Sequence, residues 1–69
     1  MEITLKACRI NAGLKQSELA KELGVSLLTV SNWELGYSEP SLSQLRKISE
    51  LSGVDMNFIV LTKEKAKLS

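Results

Sequence analysis

One cysteine, Cys8, eight carboxylates and no histidine are the side chains available here for thiol and proton-transfer chemistry. Without histidine, neither a Ser-His-Asp nor a Cys-His nucleophile can be assembled. A single cysteine among scattered carboxylates makes a poor transition-metal site, so no metal is expected. Acid–base work by Glu or Asp has neither a paired-carboxylate motif nor a glycine-rich phosphate loop to support it. The chain is therefore not expected to be an enzyme, and no cofactor is expected. Cys8 reads as a small buried hydrophobe rather than a redox sensor, because no basic cluster lies near it in sequence.

The elements that position the remaining side chains are short. Sixty-nine residues make one domain, and a chain of this size buries only about 60% of the surface that its unfolded form exposes. Hydrophobic residues make up 43% of the sequence in a regular pattern, as in a globular protein. With Cys8 alone, no disulfide framework can form. No apolar run reaches the roughly 18 residues of a membrane span, and no signal-peptide pattern opens the chain, so a reducing cytoplasm is the expected setting.

Four glycines punctuate the pattern. Gly13, Gly24, Gly36 and Gly53 each follow an apolar-periodic stretch, where a helix needs a left-handed residue just past its end. Five helices are predicted between and beyond them. The first runs from about Thr4, its cap, to Ala12, with Leu5, Cys8 and Ala12 on one face. The second covers Gln16 to Leu23, with Leu19, Ala20 and Leu23 at helical spacing. The third begins after Ser26, whose neighbours Val25 and Val30 have hydrophobic-staple spacing, and Val30 and Trp33 continue its buried face. The fourth begins at the capping box Ser41–Gln44, just after Pro40, with a stripe of Leu42, Leu45, Ile48 and Leu51. A fifth is predicted after Asp55, carrying Met56, Ile59 and Val60, with Phe58 also apolar. No strand is predicted, since β-branched residues are sparse and period-2 alternation is absent. Residues 1–61 form the domain, and the Lys-rich tail 62–69, with Lys63, Lys65 and Lys67, is expected to fray.

Only Gly24, Val25 and Ser26 join the second helix to the third. Helices connected so tightly must cross steeply, and Ala20 is small enough to let the backbones approach. Leu19, Val25, Val30 and Trp33 supply the shared core. This is helix-turn-helix geometry, in which the second helix of the pair is free to enter a major groove.

The run GLKQSELAKELGVSLLTVSNWELGYSEPSLSQLRKISELSGVDMNFI resembles the lambda-repressor-like, Cro/repressor-type helix-turn-helix family, also called the xenobiotic-response-element type. The resemblance extends from Leu5 to about Val60 and rests on a combination of motifs. These are G-L-x-Q-x-E-L-A, G-V-S, V-S-x-W-E-x-G and E-P-S-x-x-x-L. It implies a compact all-α domain that acts as a sequence-specific double-stranded DNA-binding transcription regulator, of the phage or mobile-element repressor kind. It also implies roles for particular residues. Leu27, Leu28, Ser31 and Asn32 on the third helix would address base edges, Asn32 pairing with adenine and a leucine packing on thymine methyls. Gln16, at the start of the second helix, would hold a phosphate, with Lys15, Tyr37 and Ser38 as further backbone contacts. Arg9 and Glu34 would form a structural ion pair fixing the third helix against the first.

The sequence departs from this pattern in three places. Lys15 stands where Ser or Thr commonly caps the second helix. The third helix has no Lys or Arg, so the commonest contact to guanine is missing, and A·T-leaning half-sites are expected. Glu39 lies in the loop beyond it. The net charge is only +1, which implies modest affinity per protomer and a shallow salt dependence. Specific binding then calls for a homodimer on a pseudo-palindromic operator, with Phe58, Ile59 and Val60 as candidates for its interface. The alternative is a helix-turn-helix fold used as a protein-interaction module, which the exposed leucines and near-neutral charge would also suit.

Overall fold

Three hydroxyl side chains start three of the helices. Thr4 Oγ1 accepts from Ala7 N at 3.1 Å, Ser26 Oγ from Thr29 N at 3.1 Å, and Ser41 Oγ from Gln44 N at 3.2 Å. Each satisfies one of the amides that a helix start leaves without a partner. In the computed structural model, which describes residues 2–61, the elements are β1 (Ile3–Thr4), α1 (Leu5–Asn11), α2 (Gln16–Leu23), α3 (Leu27–Leu35), α4 (Leu42–Ser52), a 3-10 turn (Met56–Phe58) and β2 (Ile59–Val60). The Lys-rich tail expected to fray lies outside the described residues.

The helix stops follow from backbone sterics. Gly24, with φ +68°, ends α2 in the left-handed region, and Val25 N then donates back to Ala20 O at 2.9 Å. Any side chain at residue 24 would be strained by that φ, even though the space around it is open. Gly36 closes α3 in the same way, and Tyr37 N returns to Asn32 O at 2.9 Å.

The core is one cluster contributed by every helix: Leu5 and Cys8 from α1, Leu19 and Ala20 from α2, Val30 and Trp33 from α3, and Ile48 from α4. Leu45 and Leu51, also from α4, are partly buried against this cluster. Leu42, the first member of the predicted α4 stripe, is exposed instead. Burial raises the Cys8 thiol above its ordinary pKa of 9.0, opposed in part by the neighbouring Ser52 side chain.

The described residues hold four α-helices, not five, and they hold a strand pair that the sequence pattern did not indicate. Asp55 does cap, its Oδ1 accepting from Asn57 N at 2.8 Å, but only one 3-10 turn follows. Ile59 then becomes extended, at φ −82° and ψ 122°. Two adjacent β-branched residues lose side-chain freedom in a helix and fit a strand better. Ile59 and Val60 pair in parallel with Ile3 and Thr4, and Ile3, Ile59 and Leu61 pack against the core. The domain is otherwise all-helical.

Candidate nucleic-acid interface

Two differently built faces define α3. Its helical period turns Val30 and Trp33 inward, where both are buried, and leaves Leu27 and Leu28 outward at 51% and 67% exposure. Ser31 and Asn32, one turn further on, are half-buried, and Leu35 is exposed. Both leucines proposed for base contact are therefore open to solvent.

The polar end of α3 is fixed by a three-sided network. Arg9 Nε donates to Glu34 Oε2 at 2.7 Å, Arg9 Nη2 to Glu34 Oε1 at 3.2 Å, and Arg9 Nη1 to the Leu14 carbonyl at 2.9 Å. The guanidinium and carboxylate side chains are 11% and 5% exposed, so the pair is a two-pronged one shielded from water. Gln16 completes the network from α2, its Nε2 donating to Glu34 Oε1 at 2.9 Å. Arg9, Gln16 and Glu34 thereby join α1, α2 and α3 at one point. Local periodicity carries no signal for the Gln16–Glu34 contact, since its partners lie on different helices.

The remaining candidates flank this point in sequence. Lys15 is exposed and immediately precedes Gln16, while Tyr37, exposed, and Ser38, half-buried, follow the Gly36 stop. Lys15 has no acceptor, so only the reciprocal half of a capping box forms at α2: Glu18 Oε1 accepts from Lys15 N at 2.8 Å. The third amide of α2 has no side-chain cap, in contrast to those of α1, α3 and α4. The sole charge on α3, Glu34, is matched by Arg9, and Glu39 in the following loop is exposed. Phe58 is partly exposed, whereas Ile59 and Val60 are half-buried in the strand pair. No helix among the described residues is long and apolar enough to cross a membrane.

A helix-turn-helix family model matches residues 5–59, which takes in all four helices and both faces of α3. The chain belongs to the Cro/repressor-type helix-turn-helix family. This Cro/repressor-type domain is similar to the SPbeta prophage-derived uncharacterized HTH-type transcriptional regulator YonR of Bacillus subtilis, with 36% identity over 56 residues, 81% of this chain and 52% of that protein. An uncharacterized HTH-type transcriptional regulator of Haemophilus influenzae is 41% identical over 49 residues, 71% of this chain and 20% of that one. The HTH-type transcriptional regulator ImmR of B. subtilis is 33% identical over 63 residues, 91% of this chain and 50% of that protein. The domain thus spans about half or less of each relative's length. No solved structure matches it.

Proposed function

We propose that this domain is a sequence-specific double-stranded DNA-binding transcription regulator, without enzymatic activity, that places α3 in the major groove. The observation that carries the reading is the two-sided build of α3, with an inner face locked by Val30, Trp33 and the Arg9–Glu34 pair and an outer face left open. A rigid helix with a free face suits base readout. Leu27, Leu28, Ser31 and Asn32 are the base-contacting residues, and Lys15, Gln16, Tyr37 and Ser38 contact phosphates. With no Lys or Arg on α3, the half-sites lean to A·T. The regulator works in the cytoplasm as a homodimer on a pseudo-palindromic operator, since one module buries little DNA surface. The prophage derivation of one relative, YonR, supports a phage or mobile-element setting.

A second reading has its own observation. Leu27, Leu28, Leu35, Tyr37 and Leu42 are all exposed, which would suit a protein-interaction surface. Selection of randomised duplexes by the purified chain, at two salt concentrations, separates the two. An enriched, two-fold-symmetric, A·T-leaning site, weakened by Asn32→Ala and by Gln16→Ala, is the outcome expected for DNA readout. A folded protein that enriches no site at low salt points to the protein-interaction reading instead.

A further inference from the structure

Gln16 and Glu34 meet through a contact that can be made in only one sense. A carboxylate accepts hydrogen bonds and cannot donate them. Turning the Gln16 amide over would set its Oε1 against Glu34 Oε1 where Nε2 now sits at 2.9 Å. The carboxylate has no freedom to turn away, because Arg9 holds both of its oxygens and is itself anchored on the Leu14 carbonyl. A line of fixed groups therefore runs from Leu14 through Arg9 and Glu34 to the Gln16 amide.

This decides what Gln16 can offer an approaching anion. One Nε2–H is taken by Glu34, and the second Nε2–H and Oε1 remain. A phosphate welcomes the first of these and repels the second. Gln16 also stands on the turn of α2 whose third amide has no side-chain cap. We propose that Glu34 is a positioning residue for DNA binding: acting through Gln16, it presents the second amide hydrogen to one backbone phosphate and keeps the amide oxygen away. The inference rests on the DNA-binding reading above. It gives Glu34 a second task besides tying α1 to α3.

The test uses the full chain and the duplex obtained by selection, with backbone phosphates replaced one at a time by neutral methylphosphonates. Affinities are measured for the natural sequence, Gln16→Ala, Glu34→Gln and the double variant, with folding followed by circular dichroism. Glu34→Gln keeps the size of the side chain but offers Gln16 either a donor or an acceptor, so the amide is released. For the natural sequence, one neutral replacement per half-site is expected to weaken binding about tenfold, the size of a hydrogen bond to a charged group. That phosphate-specific loss should vanish in Gln16→Ala and shrink to about twofold in Glu34→Gln, with the double variant no worse than Gln16→Ala. If Glu34→Gln does not fold, Glu34→Asp takes its place, keeping the charge while withdrawing the carboxylate from Gln16. A fully retained phosphate-specific loss in the Glu34 variant, or an effect of that variant that persists undiminished without Gln16, overturns the assignment. A natural sequence that binds no duplex overturns the DNA reading together with it, whereas binding with additive losses overturns this inference alone.

Discussion

The inner and outer faces of α3 lie side by side along one nine-residue helix and are held to opposite standards. On the inner face Val30 is fully buried, Trp33 is 5% exposed, and Glu34 is gripped by two other helices. On the outer face Leu27 and Leu28 touch water, and the serine cap with its bond to Thr29 orders the first turn. About 100° of helical rotation separates neighbouring residues, so adjacent positions answer to different constraints. The inner face sets where the helix sits, and the outer face is free to change what it meets. A substitution should therefore damage either stability or recognition, according to its side.

The largest expected effect is on the inner face. Trp33→Ala should cost about 3–5 kcal/mol, a large part of the stability of a domain this small, and should abolish cooperative urea unfolding followed by circular dichroism. On the outer face, Leu28→Ala should leave stability within about 0.5 kcal/mol while lowering affinity for the selected duplex by about 1–2 kcal/mol. A Leu28 variant that unfolds as readily as the Trp33 variant would erase the distinction between the faces.

A smaller effect, with two signs, is expected beside the network. Lys15→Ser gives α2 the acceptor that it lacks, and should raise stability by about 0.5–1 kcal/mol in thermal melts. The same change removes a positive charge, so DNA affinity should fall and the salt dependence should become shallower. The smallest effect concerns Cys8, packed behind the inner face. Burial raises its pKa, so the folded state holds the thiol proton longer than the unfolded state does. Its contribution to stability is complete below the unfolded value of 9.0 and is lost as pH rises through the higher folded value. Iodoacetamide at pH 8 should accordingly react much more slowly with the native protein than with the urea-unfolded chain; equal rates would show that the core behind α3 opens freely.

What the sequence shows and what it hides divide along the same physical line. Thr4, Ser26, Ser41 with Gln44, and Asp55 act within three residues of themselves, and their capping hydrogen bonds are present. The four glycines all have positive φ, a property of single positions. The predicted fifth helix does not form because the fate of Ile59 and Val60 depends on Ile3 and Thr4, more than fifty residues away in sequence. Leu42 has the spacing of a core residue but lies outside the packed cluster, which periodicity alone cannot register. At the candidate site, the contact between Arg9 and Glu34 followed from resemblance, while the fixed orientation of the Gln16 amide emerged only once three helices were in place.

The short ladder between β1 and β2 has a mechanical consequence. Its strands run the same way, with Ile3 beside Ile59 and Thr4 beside Val60. A force drawing residue 3 backward and residue 60 forward slides the strands along each other, so both rungs resist together and do not unzip in turn. Tension entering at either of these positions meets that clamp before it reaches the helices between them. The tilt of α3 is thereby insulated from pulling at the edges of the fold.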